Sequence, residues 1–524
     1  MGERVLSGNA ASKTPGTART TILTFSSVLC GAVLAFGTTL YVGNQVGETG
    51  AGLFFQIMAF FSIATVFVTF GADTGLVRSL AAIKVLGTPR DLRRTVAIAG
   101  VPVLIFAALA GLTLWVVADA LENLWGVHGL TEVIRIMAVM LLPAAVMNLG
   151  FGAMRGMGRV AGFSAIQNIL LPATRLCTVA LAILLGGSLL QLATSWVVPV
   201  LLAAALAVAA TWRAIAGFTP GSGRTSTVGT PLPHAELSAG KFWSFSSARA
   251  ASALVETLLE WIDVIAVAIF LGPAAAGIYG AVNRCVRLGV MLEHTARLVT
   301  GPMLSACLAV GNQTEAKRLF GDTAKLLVWC AWPFYLTLAI FSEGVLSLFG
   351  AGFTAGAVPL AIISLVMMLV VSAGGVQSML LMGGKSRWQL GNKFCALAVA
   401  VLFNLWLVPL WGLLGAITAW SLAVLVDSAL ATLQVARSMR CSVPLRELLP
   451  LAAISLLIFG GGGMLWRFLL EPSLLVAALH LAVALPIYCW VSVRLSRRFG
   501  LEPLVQQIAK TLGRRKYPLH EHGR

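Results

Sequence analysis

About fourteen apolar stretches of roughly 18 to 28 residues divide this chain, each long enough to cross a bilayer as a helix. Backbone N–H and C=O groups find no water in hydrocarbon, so segments of this kind can only be helices that satisfy their own hydrogen bonds. The composition agrees. Only 11% of residues are charged, 58% are hydrophobic and mean hydropathy is +0.90, whereas ordinary soluble domains are about 25% charged. A set of soluble domains, which 524 residues would otherwise imply, is excluded.

The expected spans run over 22–42, 50–70, 95–117, 134–151, 163–185, 190–210, 245–271, 277–304, 325–342, 357–381, 394–411, 413–433, 448–467 and 474–493. Cationic loops stay on the cytoplasmic side, so Lys and Arg set the orientation. With both termini and every even-to-odd loop inside, these inner segments hold thirty of the thirty-seven basic residues, and the outer loops hold none. The net charge of +17 is therefore mostly topology. It does not argue for nucleic acid, and the terminal "GRRKY" reads as a tail against anionic lipid. The eight cysteines are scattered, with no C-x-x-C, and the six histidines form no ligand set, so neither disulfide, metal nor cofactor is expected.

The chain also repeats itself. "AGLF" at Ala51 recurs as "AGIY" at Ala276, "LWGVHG" at Leu124 as "LFGAGF" at Leu348, Gly158–Arg159 as Gly384–Lys385, and "ATSW" as "ITAW". The offsets agree at about 225 residues, which makes spans 1–6 and 7–12 two copies of one bundle. Six crossings per copy make the repeats parallel, a transporter architecture with a site near the midplane between bundles. The expected organisation is a disordered cytoplasmic tail (1–21), a six-helix bundle (22–213), a Gly/Pro/Ser/Thr-rich linker (214–241), a second six-helix bundle (242–440), an extra helix pair (441–493) and a basic cytoplasmic tail (494–524). The fold class is an all-α polytopic membrane protein.

Span 7, "ALVETLLEWIDVIAVAIF", carries three acids where each mid-bilayer charge costs about 2.5–3.5 kcal/mol. Arg249, Glu256, Glu260 and Asp263 stand at steps of 7, 4 and 3, so a helix gathers them within an arc of roughly 60°. Span 8 returns through a short turn near Gly272 to Ala276 and carries Arg284, Arg287, Glu293, His294 and Arg297. Equal distances from that turn set Asp263 beside Arg284 and Arg287, Glu260 beside Arg287, Glu256 beside Glu293, and Arg249 beside Arg297. Two roles are open. Either the charges neutralise each other and pin the two helices, or they line a cavity in which arginines hold a phosphate and carboxylates take a proton or sodium ion. Glu256 and Glu293, alike in depth and sign, are the candidate coupling acids. Arg175, deep in span 5 after Gln167 and Asn168, is open to two roles, a cavity residue or a helix-helix contact, and Asp427 in span 12 reads as a polar contact.

"WIDVIAVAIFLGPAAAGIYGAVNR", "LFGAGFTAG", "NLWLVPLWGLLGA" and, in the first half, "GADTGLVRSLA" resemble the bacterial lipid-linked oligosaccharide flippases of the polysaccharide biosynthesis and export group. These are relatives of the multidrug and toxic compound extrusion transporters. The resemblance implies two bundles in a V and passage of a polyprenyl-diphosphate-linked glycan from the inner to the outer leaflet of the bacterial cytoplasmic membrane. It implies as partners that glycolipid, a proton or sodium ion, membrane lipids, and a glycan polymerase or glycosyltransferases. On this basis Arg284, Arg287, Arg297, Arg249 and Arg175 are candidate substrate-binding residues, and Glu256, Glu293, Glu260 and Asp263 candidate ion-coupling residues. A peptidoglycan-precursor flippase and a drug/cation antiporter are alternatives on the same fold. A membrane glycan polymerase fits least, because the longest outer loop, near 118–133, is only about sixteen residues.

Overall fold

The computed structural model describes residues 15–86, 88–125, 129–217 and 238–494. The expected tails over 1–21 and 494–524 and the linker over 214–241 fall largely outside these residues. Every regular element among the described residues is helical: α1 (Pro15–Thr69), α2 (Ala72–Leu86), α3 (Pro89–Trp125), α4 (Leu130–Gly156), α5 (Val160–Leu184), α6 (Leu189–Ala216), α7 (Ala239–Leu271), α8 (Pro273–Ala309), α9 (Gln313–Ile340), α10 (Ala351–Ser372), α11 (Val376–Met382), α12 (Ser386–Trp411), α13 (Leu413–Met439), α14 (Leu445–Leu469) and α15 (Leu474–Arg494), with short 3-10 and helical turns between α9 and α10.

Eleven of the described helices are long and apolar enough to cross a membrane. The first of them holds two spans: at 1.5 Å per residue its 55 residues would reach about 80 Å, far beyond one bilayer. Gly47, with φ 68° and ψ −175°, breaks it. The helices α7 and α8, 33 and 37 residues long, are each long enough to cross a bilayer but are not among these eleven, being richer in charge. This architecture is consistent with fourteen spans. The stretch after span 2, expected as a loop, instead forms α2. It lies on α4, where Gly152 and Gly156 leave room for the backbone around Asp73 and Leu76.

Two compact units divide the chain, Met1–Gly277 and Ile278–Arg524. In the first, α7 packs on α1 and α2, and the Gly71 backbone approaches Ser246 and Ala250 so closely that a Cβ would not fit. In the second, α14 and α15 pack on α9: Trp329 Nε1 donates to Ser492 Oγ at 2.9 Å, and Tyr488 Oη donates to the Trp329 carbonyl at 3.0 Å. Arg467 closes the far end of that pair on the Ile340 carbonyl at 2.8 Å. The extra helix pair is thus a buttress of the second unit.

The sequence repeat reappears as backbone geometry. Gly158 and Gly384 both take positive φ, 79° and 74°, and both end a helix in the same turn. Arg159 N donates to the Met154 carbonyl at 2.8 Å, as Lys385 N does to the Leu380 carbonyl at 2.9 Å. The turns at Gly47 and Gly272, 225 residues apart, have φ of 68° and 85°. Around them the first unit holds a reciprocal contact. A Cβ on Gly52 would strike the Pro273 carbonyl and Gly277 N, and one on Gly277 would strike the Glu48 carbonyl and Gly52 N.

This contact admits no side chain, whereas Gly37, in the part of α1 before the Gly47 break, has nothing within 4 Å of where a Cβ would stand. Gly52→Leu and Gly277→Leu should each cost about 1–3 kcal/mol or more through overpacking, read as a lower Tm and lower yield in detergent. Gly37→Leu should leave both unchanged. Equal stability of the three variants would show that the crossing of the two turns is not close.

Candidate functional site

Neither proline nor an internal break interrupts α7, and Ser238 caps its first turn by accepting from Lys241 N at 3.4 Å. The unbroken helix carries Arg249, Glu256, Glu260 and Asp263 along one face, at the expected steps. Their environments differ sharply. Asp263, near the Gly272 end, is 1% exposed, while Arg249 and Glu256 have side chains 42% and 49% exposed. Arg249 Nη2 lies 3.7 Å from Glu256 Oε2, two turns along its own helix. A pair so open contributes at most about 1 kcal/mol.

On α8, Arg287 Nε donates to Asn283 Oδ1 at 3.1 Å, one turn back. Arg297 Nη2 donates to Glu293 Oε1, again one turn apart, and the Glu293 side chain is only 14% exposed. Gly289 lies between them on this helix; the Tyr335 ring of α9 occupies the place of its missing Cβ, and Tyr335 Oη donates to the Val286 carbonyl at 3.4 Å. Glu260, Asp263, Arg284 and Arg287 also engage partners. His294 is exposed beside this set. Each expected coupling acid, Glu256 and Glu293, therefore has an arginine on its own helix, an arrangement the depth comparison between helices did not foresee. Chemically, α8 carries three guanidinium groups and one partly buried carboxylate along a single helix, and guanidinium groups suit an anion that carries several oxygens.

Arg175 has a different setting. Its Nε donates to the Trp196 carbonyl of α6 at 3.1 Å, and the guanidinium stacks 4.0 Å above the Trp196 ring. It ties α5 to α6. Close by in sequence, α5 opens into a π-helical turn over Ala165–Leu170, where Asn168 Nδ2 donates to Ser27 Oγ of α1 at 3.4 Å and the Asn168 carbonyl fills the space over Gly31. Such a turn shifts the register of α5.

Among the ion pairs that spacing does not display are two between neighbouring helices. Arg155 on α4 pairs with Asp73 on α2 at 3.0 Å and stacks on Phe163 at 5.0 Å. Lys393 on α12 pairs with Asp427 on α13 at 2.6 Å. Both cations stand at span ends, where the bias of positive charge alone places them in inner loops. Each has an acid partner in a distant segment, which no local spacing displays. Among the described residues no three His, Cys, Asp or Glu side chains converge as metal ligands.

Comparison with known proteins places this geometry. The chain shares its fold with a lipid II flippase, MurJ, in an inward closed conformation, at TM-score 0.71 and 12% identity over 92% of this chain and 99% of that one. An inward-facing multidrug resistance transporter of the MATE family and MOP superfamily matches at TM-score 0.59, with 14% identity over 82% and 99% of the two chains. A Pyrococcus furiosus transporter of the same superfamily, reported to have a binding pocket of reversed polarity, matches at TM-score 0.52 and 15% identity over 81% and 94%. A sequence search of the curated proteins finds no match. Residues 17–307, more than half of the sequence, fit the profile of the family described as polysaccharide biosynthesis protein. A multi-pass helical chain with the MurJ and MATE fold and this profile belongs to the polysaccharide biosynthesis protein family.

Proposed function

We propose that this protein is a flippase that carries a polyprenyl-diphosphate-linked oligosaccharide from the inner to the outer leaflet of the bacterial cytoplasmic membrane, with both termini inside. Transport is by alternating access coupled to a proton or sodium ion, and the chain performs no bond-making chemistry. The observation that carries the reading is the charged stretch of α8, where Arg284, Arg287 and Arg297 occur within four turns of one membrane helix in a chain of the polysaccharide biosynthesis family. A diphosphate offers several anionic oxygens in a row, and arginine keeps its charge and its paired donors when water is removed. Arg249 and Arg175 serve the same anion from other spans. Glu256, Glu293, Glu260 and Asp263 are the acids through which the ion gradient acts, with membrane lipids around the carrier and a glycan polymerase or glycosyltransferases as neighbours in assembly.

The likeness to a lipid II flippase over nearly the whole of both chains favours a second reading, a peptidoglycan-precursor lipid, whose diphosphate would meet the same arginines. A drug/cation antiporter is less well supported, because a row of arginines repels cationic cargo.

Arg284→Ala and Arg287→Ala should abolish movement of a polyprenyl-diphosphate oligosaccharide in proteoliposomes while the protein still inserts. Lysine at either position should restore a minority of the rate, since a point charge replaces paired donors. Full activity of both alanine variants would remove the anion-binding role.

The coupling acids are separable from structural ones. A carboxylate that only balances an arginine can be removed together with it at little cost, whereas one that carries the driving ion cannot. Glu256→Gln and Glu293→Gln should therefore keep normal protein levels but lose the response of transport to imposed proton or sodium gradients. An unchanged gradient response in both variants would assign these acids to helix packing.

A further inference from the structure

Pro333 stands inside α9 and has no N–H, so the carbonyl four residues back, that of Trp329, loses its helical donor and is pushed aside by the proline ring. That carbonyl is served from another helix. Tyr488 Oη of α15 donates to it at 3.0 Å and, with its one proton so placed, accepts from Ser455 Oγ of α14 at 2.9 Å. Tyr488 and Ser455 are 3% and 0% exposed, and the Tyr488 ring stacks on Trp329 with centroids 6.0 Å apart. On the same turn of α9, Trp332 Nε1 donates to the Met368 carbonyl and to Ser372 Oγ of α10 at 3.1 and 3.0 Å. A proline turn is where a helix bends most readily, and this one is held by partners on three other helices.

Tyr335 follows Pro333 by two residues and is fully buried. A Cβ on Gly289 of α8 would strike the end of the Tyr335 ring and the Phe334 ring, so α8 is notched at Gly289 to receive this pair. At about 100° per residue, Gly289 centres the buried stripe of Val282, Cys285, Val286 and Ala296, whereas Arg284 and Arg287 stand about 140° and 160° round the helix from it. Glu293 stands about 40° from Gly289, on the Tyr335 side, which accounts for its low exposure. Seating Tyr335 in the notch therefore turns Arg284 and Arg287 away from α9 and Glu293 toward it.

We propose that Tyr335 is the positioning residue of the arginine helix, and that the α14–α15 pair sets its place through the Tyr488 hydroxyl on the Trp329 carbonyl. The helix pair that lies outside the sequence repeat is then part of the binding apparatus. It fixes the proline turn, the turn fixes the ring, and the ring fixes the rotation of α8 on which the two arginines depend. The Tyr488 hydroxyl is the sensitive link, because deleting it keeps the stacked ring but returns a buried carbonyl to an unpaired state, which a change in the proline turn would relieve. The inference rests on the reading of Arg284 and Arg287 as the groups that hold a diphosphate, and every residue it uses belongs to the second unit.

The test uses the purified full-length chain in lipid nanodiscs and two readouts. One is the rate at which phenylglyoxal modifies Arg284 and Arg287, followed residue by residue by mass spectrometry without ligand. The other is affinity for farnesyl diphosphate, a short prenyl diphosphate. Tyr488→Phe should fold, since it loses one oxygen, yet change both arginine rates severalfold and weaken farnesyl diphosphate about threefold to tenfold, equivalent to about 0.6–1.4 kcal/mol. A hydroxyl that only adds stability would lower Tm and leave both readouts alone. Tyr335→Phe keeps the ring in the notch and should match the wild type. Gly289→Leu should exceed Tyr488→Phe in both effects, and Gly289→Leu/Tyr335→Ala, which moves the bulk from α9 to α8, should recover part of the loss. Should the Gly289 variants fail to fold, Tyr488→Phe decides. Arginine rates in Tyr488→Phe equal to those of the wild type would overturn the proposal. Failure of the wild type to bind farnesyl diphosphate would instead count against the anion-binding reading, while the arginine rates, which need no ligand, still decide whether the two residues are positioned in this way.

Discussion

A charge inside hydrocarbon must be matched by its protein neighbours, and this requirement governs how the helices of the chain are joined. Asp73 and Arg155 fasten α2 to α4. Lys393 and Asp427 fasten α12 to α13. Arg175 stacks on Trp196 to fasten α5 to α6, and Arg467 reaches Glu343 at 3.2 Å from the last helix pair. Such pairs fix register and partner choice more than they add net stability, because the desolvation of two ions nearly offsets their attraction. The charges of α7 and α8 follow the same rule with a difference. Glu256 and Glu293 each pair with an arginine of their own helix, two turns and one turn away, instead of with an arginine of a distant segment.

Glycine supplies the second half of the design. Apolar helices have no hydrophobic drive to associate in lipid, so close backbone approach and its dispersion contacts take that role. Gly52 and Gly277 meet with no room for a side chain, and Gly71, Gly152 and Gly156 seat α2 and α7 in the first unit in the same manner. The two turns at Gly47 and Gly272 repeat one backbone shape in both halves of the chain. A crossing built from backbone alone has few side-chain rotamers to rearrange, which suits a point about which helices change angle.

Much of this was legible in the sequence. Hydropathy located the spans, the short turn at Gly272 and the common face of Asp263, Glu260 and Glu256 followed from helical spacing, and weak matches at an offset near 225 foretold turns of the same shape at Gly158 and Gly384. What stayed hidden was long-range pairing. Lys393 and Arg155 stand near span ends, where positive charge is ordinary, so nothing local distinguished them from loop cations. Asp427 read as a lone acid because its partners lie 34 and 50 residues away on other helices. The helical character of 72–86 was missed because its Arg78 and Lys84 gave it the composition of a loop, while its apolar face is spent on α4. The self-pairing of Glu293 with Arg297 is a four-residue spacing visible in the sequence, but depth across the turn points equally to a partner on α7, and spacing alone does not choose between the two.

The central claim is that the cargo is a lipid diphosphate bearing a glycan. Its most direct test is mass-spectrometric identification of the lipid that accumulates when cells are depleted of this protein, combined with enzymatic probing of which leaflet holds it. The account predicts build-up of a polyprenyl diphosphate carrying a completed oligosaccharide, confined to the inner leaflet. An unchanged pool of prenyl-diphosphate glycolipids with normal access from outside would contradict it.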